Sequence, residues 1–185
     1  MKGKQHGFTF VELVIVVVVL GLLAAVALPR FINLADEAEI SATKGVAGGF
    51  ASSVGMVRGQ WEVDGRPGSI ILDGYQVDVN RFGYPGVTET NSDNMTASNC
   101  ATVFTDILQS HPSISAANLD SSYFTNVSYN SASYFDRSGA SVSGFNQCVY
   151  FASSSVSDSN ADSSTSGARG FTYNHVTGQV EIFIN

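Results

Sequence analysis

The residues able to do chemistry in this chain are few, and their placement is uneven. Glu12 stands alone in an apolar run: from Val11 to Leu28 every other residue is apolar or Gly. A carboxylate there costs roughly 2.5–3.5 kcal/mol on membrane-insertion scales, so it is a functional residue by default. The chemistry open to it is ionic pairing at low dielectric with an amine of another chain. Cys100 and Cys148 are the two cysteines. In a cytosolic chain they would be buried free thiols, and in an exported chain a disulfide. Closing a loop of about 49 residues would stabilise the fold by ~4 kcal/mol in the chain-entropy model. The three histidines, His6, His111 and His175, are scattered, and there is no CxxC pair, so neither a zinc nor a redox motif is present. Asp158 and Asp162 could lend oxygens to calcium but fall short of a ligand set. No nucleophile elbow, phosphate loop, kinase or metalloprotease signature occurs. The sequence therefore predicts no catalytic residue, no metal and no cofactor.

The elements that position Glu12 come next. The chain opens MKGKQHG, continues FTFVEL and then runs VIVVVVLGLLAAVAL to Pro29. Residues 8–28 as a helix reach ~30 Å, enough to span a bilayer core. Lys2 and Lys4 precede the segment and hold its start on the cytoplasmic side. Three readings compete. One is a secretory signal discarded at Ala25-Val26-Ala27. Another is a plain membrane anchor. The third is a leader cut before the apolar run, which then stays in the mature protein. Glu12 favours the third, because a discarded signal or simple anchor gains nothing from a charge and a polymer subunit does.

The string Gly7-Phe8-Thr9-Phe10-Val11-Glu12 resembles the cleavage motif of type IV pilins: Gly, an aromatic, Thr, two apolar residues, then Glu. Phe10 departs from the commoner Leu and stays apolar. The resemblance implies a prepilin peptidase that cuts after Gly7 and N-methylates the new terminus at Phe8. It implies that Glu12 neutralises the amine of a neighbouring Phe8 during assembly, and that Gly21 and Pro29 weaken the helix. It also implies a fold of the α+β class, one long helix on an antiparallel sheet, with a disulfide closing a C-terminal region that Cys100 and Cys148 would suit. The final strands follow Cys148, so that bridge would leave the extreme C-terminus unpinned. With the GFTYNHVTGQV ending, this is similar to the mannose-sensitive haemagglutinin type of pilin.

The organisation predicted is a leader at 1–7, a helix at 8–61 and a β-rich head at 62–185. The helix divides into a transmembrane part, 8–28, and a part packed on the head, 30–61. Beyond Pro29 the apolar positions Phe31, Leu34, Ala38, Ala42, Val46, Phe50, Val54, Val57 and Trp61 recur every three or four residues, one buried helical stripe. Gly45, Gly48, Gly49, Gly55 and Gly59 weaken that half, each by up to ~1 kcal/mol relative to Ala. Either they let the sheet approach closely or they make the helix compliant, with Gly48-Gly49 the place to look for an irregularity. In the head, Ser69–Leu72 and Tyr75–Val79 predict a hairpin about Asp73-Gly74. Ala97–Ser110 predicts a short helix, and Tyr123–Tyr129 and Asn146–Ala152 predict strands. Arg169–Tyr173 and Gln179–Ile184 predict a last hairpin. Residues 153–167 are polar and of low complexity, a flexible loop or a surface for glycosylation or receptor contact. Asn94-Met95-Thr96 and Asn126-Val127-Ser128 match the glycosylation sequon.

The charged fraction is 14% and the formal charge −7, and losing Lys2 and Lys4 with the leader brings it to −9. An acidic, Lys-poor surface predicts no nucleic-acid partner. The leading expectation is a structural subunit of a type IV pilus, used for attachment, biofilm formation or motility. Its partners would be copies of itself, the prepilin peptidase and the inner-membrane assembly machinery. It would sit in the bacterial inner membrane before assembly and in an extracellular pilus afterwards. The alternatives are a type II secretion pseudopilin and a secreted binding module with a discarded signal.

Overall fold

The computed structural model describes residues 7–87, 94–116, 118–135 and 141–185. Two compact units divide it, one up to Ser41 and one from Ala42 to Asn185. Helix α1 (Phe10–Val63) contributes to both and runs without interruption through Gly21, Pro29 and Gly48-Gly49.

In the first unit Phe10 to Leu28 are exposed along their length. The run is apolar all round, as suits a segment meant for a non-aqueous surrounding. One window in α1 is long and apolar enough to cross a membrane, with a mean hydropathy of 3.0.

The second unit is the head. It opens with the C-terminal part of α1 and the hairpin of β1 (Ser69–Leu72) and β2 (Tyr75–Asp78). Asp73 and Gly74 both take positive φ, +49° and +87°, as a two-residue turn of this hand requires. Helix α2 (Ala97–Ile107) follows, started by a capping box between Thr96 and Asn99. Its buried residues, Cys100, Val103, Phe104 and Ile107, fall at helical spacing on one face. A five-stranded sheet completes the head in the order β3 (Ile114–Ser115), β4 (Tyr123–Phe135), β5 (Ser141–Ala152), β6 (Arg169–Asn174), β7 (Gln179–Ile184). All pairings are antiparallel except β3 with β4.

The stripe expected on α1 is correct from Phe50 onward and slips before it. Thr43 and Ala47 are buried, whereas Ala42 is exposed and Val46 only half-buried. Each step of four residues overshoots a turn by about 40°, so the unbroken steps from Leu34 to Phe50 wind about 160° around the helix. The face that packs alternates steps of four and three: Thr43, Ala47, Phe50, Val54, Val57, Trp61. The helical glycines are not close-approach sites. An added Cβ at Gly45, Gly48, Gly55 or Gly59 meets nothing, and at Gly49 it makes only an ordinary contact with Leu108.

The core is aromatic. Phe50 is fully buried, with ring centroids 6.1 Å from Phe104, 5.3 Å from Tyr150 and Phe171, and 5.1 Å from Tyr173. Both buried phenols have acceptors: Tyr150 donates to Cys100 O and Tyr173 to Pro85 O, each at 2.8 Å. The Cys100–Cys148 disulfide, with Cα atoms 5.6 Å apart, ties α2 to β5 in this core. The segment 80–86 is pinned from two sides. Asn80 Nδ2 donates to His175 O (2.7 Å), and Arg58 lies over the rings of Trp61 and Tyr84, with its guanidinium bonded to Phe82 O. Gly178, at φ +74°, closes the β6–β7 turn where any Cβ would strike the Tyr84 ring.

Burial raises the ionisation of Tyr150 and Tyr173 well above the ordinary 10.0, because a phenolate there would lose its hydration. Unfolded tyrosines release protons at lower pH than these two, so stability falls as pH rises above about 10. In an alkaline titration followed by tyrosinate absorbance, both phenols should ionise only with loss of the fold. Smooth ionisation of every tyrosine in an intact head would contradict this.

Candidate functional site

The candidate site is the start of α1. Thr9 is the N-cap and Glu12 sits at the third helical position. The Thr9 backbone N–H donates to Glu12 Oε2 (2.8 Å), as does the Thr9 hydroxyl (2.7 Å), and Glu12 N–H donates back to Thr9 Oγ1 (3.2 Å). This is a reciprocal capping box, satisfying donors the first turn would leave orphaned. The T-x-x-E spacing was present in the sequence, but the reading of Glu12 as a polymer contact left Thr9 without a role. A carboxylate at a helix N-terminus also meets the positive end of the helix dipole.

Gly7 and Phe8 precede the cap outside any helix or strand, and both are exposed. Lys2, Lys4 and the rest of the leader up to His6 lie outside the described residues. Gly21 and Pro29 lie inside α1, and Cys100 and Cys148 are joined in the head core. The structure therefore joins Thr9 to Glu12 by hydrogen bonds, with Phe8 preceding the cap in the chain.

Elsewhere the chemistry-bearing residues are occupied locally. Asp162 accepts from Ser164 N (2.8 Å) and Ser164 Oγ (2.6 Å), and these bonds hold its carboxyl below the usual range. Asp158 accepts from Asn160 N at 2.9 Å. Among the described residues no group of three or more His, Cys, Asp or Glu comes together to hold a metal. Asn126 points its amide at Ser159 O and Ala161 O, and Thr96 of the other sequon is the cap of α2.

The head also holds a groove that no sequence pattern announces. It encloses about 960 Å³ between α1, the β1–β2 hairpin and the end of α2. Gln109 Nε2 donates to Asp73 Oδ2 at 2.6 Å and joins two of its walls. Asp106 lines it too, its carboxyl raised above the usual range by partial desolvation and by the charge of Asp78.

Comparison with known proteins agrees with this geometry. The family described as "Prokaryotic N-terminal methylation motif" matches residues 2–28. The chain is 35% identical over 99 residues to the type IV narrow pilus major component PilA5 of Thermus thermophilus, covering 52% of this chain and 79% of that protein. It is 32% identical over 91 residues to a fimbrial protein of Moraxella nonliquefaciens, 48% of this chain and 58% of the relative, so it spans little more than half of that protein's length. Similarity extends to the type II secretion system core protein G of Pseudomonas aeruginosa, 36% over 57 residues and 40% of that protein. No solved structure matches the chain at a significant level.

Proposed function

This chain belongs to the type IV pilin family, and we propose from that premise that it is the precursor of a pilus subunit that polymerises into an extracellular fibre. The observation that carries the reading is an apolar helix with no cover from its own chain over Phe10–Leu28, joined to a head that is complete without it. Such a surface must be held by lipid or by copies of itself. Before assembly the segment resides in the inner membrane with its start on the cytoplasmic side. After cleavage at Gly7 the new Phe8 amine and Glu12 become the charged groups of an otherwise apolar bundle.

Processing supplies the test. The mature chain should begin at an N-methylated Phe8 by intact mass, and Gly7→Glu should leave an uncut precursor in the membrane fraction. A normal-length subunit from that variant would refute the cleavage, and a chain beginning at Leu28 would mean a discarded signal instead.

A second reading, a pseudopilin of a secretion system, draws on the likeness to core protein G. The pilus reading is preferred because the Thermus match covers 79% of its relative, against 40% for core protein G. Recovery of the subunit in sheared extracellular fibres separates the two.

A further inference from the structure

We propose that the groove between α1, the β1–β2 hairpin and α2 is the seat for a second copy of this chain, whose Arg30–Phe31–Leu34 segment docks in it. The proposal rests on the reading of the chain as a self-polymerising subunit, and it names a contact that reading does not supply.

The groove has an apolar lining with an acidic edge. Met56, Leu72, Tyr75 and Leu108 supply apolar surface, with Tyr75 68% and Met56 56% exposed. Asp73 and Asp106 supply the charge, and among the described residues lining the groove none is a Lys or Arg. Ionised Asp106 is partly stripped of water and repelled by Asp78, and among the described residues it is met only by a 3.5 Å contact with the Thr105 hydroxyl. An arriving cation would relieve all three conditions.

The occupant must therefore carry a cation beside large apolar groups, and α1 presents such a face. At about 100° per residue, Arg30, Phe31, Leu34 and Ala38 lie within one sector of the helix, with Glu37 at its edge beside Arg30 and Asp36 and Glu39 outside it. Phe31 is 73% and Leu34 61% exposed, and Arg30 has no ion-pair partner among the described residues. Lys44, the other exposed cation of α1 in this part of the chain, has Gly45 and Gly48 beside it and half-buried Ile40 one turn before, where Arg30 has the exposed Phe31 and Leu34. Donor and acceptor are different surfaces, so the contact is head-to-tail. Such contacts propagate into an open helical filament rather than closing as a dimer.

The test is made on whole fibres. Leu34→Cys and Tyr75→Cys, both at exposed positions, are placed in one chain, and the fibres are oxidised. The expected result is a ladder of disulfide-linked multimers, absent from either single variant, because each subunit donates to one neighbour and accepts from another. In parallel, Asp106→Asn should leave head stability unchanged or raised while fibre yield falls about tenfold, a split that a merely structural Asp106 would not produce. Arg30→Glu should lose yield similarly and regain it with Asp106→Lys. Wild-type-like fibres without the ladder, or Asp106→Asn assembling at full yield, would overturn the contact. So would Tyr75→Cys reacting equally with maleimide in fibre and in detergent, which would leave the groove open to some other occupant. If the unmodified chain yields no fibres, the pilus reading falls and the contact falls with it.

Discussion

Glu12→Ala should leave membrane insertion and head folding intact and cut the yield of fibres about a hundredfold or more, matching the ~3–5 kcal/mol cost of removing one partner of a buried ion pair. The carboxylate is not alone before assembly: Thr9 of its own chain gives two hydrogen bonds to Oε2. That cap reduces the cost of holding a charge in lipid without neutralising it. A neighbour's Phe8 amine would supply the neutralisation, and the low dielectric of a helical bundle would make the attraction strong. The cap observed and the pairing proposed fall on one side chain, and substitutions separate them. Glu12→Gln keeps the capping box, since Gln serves at that position as well as Glu, but loses the charge. Thr9→Val weakens the cap and keeps the charge. If pairing governs assembly, Glu12→Gln should fail nearly as badly as Glu12→Ala, while Thr9→Val assembles. The measurement is shed-fibre yield against membrane-bound subunit. A Glu12→Gln subunit that assembles at the wild-type level when expressed alone would sink the pairing account and leave the cap as the residue's purpose.

The second large effect concerns the head. Phe50→Ala should destabilise it by about 3–5 kcal/mol, the range for emptying a buried aromatic site. Phe50 is the ring through which α1 joins Phe104 of α2 with Tyr150, Phe171 and Tyr173 of the sheet, so the cavity would open where three elements meet. Those partners are rigid and in contact with one another, with Tyr150 and Phe171 stacked at 4.8 Å, so the site cannot collapse cheaply. Phe31→Ala is the internal control, since Phe31 buries nothing in the subunit and its loss should fall within about 0.5 kcal/mol. Denaturant unfolding of the detergent-solubilised chain would decide it. Equal midpoints for the two variants would show that Phe50 is not the joint.

What could be seen in the sequence followed from signals that are local. The apolar run, the lone Glu12, the Asp73-Gly74 turn, α2 and the last hairpin all declare themselves within a dozen residues. The cysteine pairing was legible because there are two cysteines and the N-terminal run predicts export. The losses were of other kinds. Helix α2 stops at Ile107 rather than Ser110, with Leu108 already extended. Strands β4 and β5 run to Phe135 and from Ser141, well past the expected ends. Their extra length is rich in Ser and Asn, with a register shift between Asn130 and Ser133, so neither propensity nor alternation marks it. Strand β3 is two residues long and pairs in parallel, below what any pattern can signal. The groove was invisible for a plainer reason: its walls come from residues 49–56, 72–76 and 105–111. Only the fold brings them to one place.

In the proposed extracellular fibre the disulfide has a further consequence. Its bond spans 48 positions, from α2 across β3 and β4 to β5. A peptide bond cut anywhere between Cys100 and Cys148 leaves one covalent molecule, because the break falls inside a closed ring. A nick there severs no subunit, and the strands beyond Cys148 stay chemically attached to the helix that anchors them. Between Ala152 and Arg169 no such ring exists. There a nick leaves β6 and β7 held by strand pairing and packing alone, so outside the cell the damage-tolerant and damage-sensitive stretches of one head meet at Cys148.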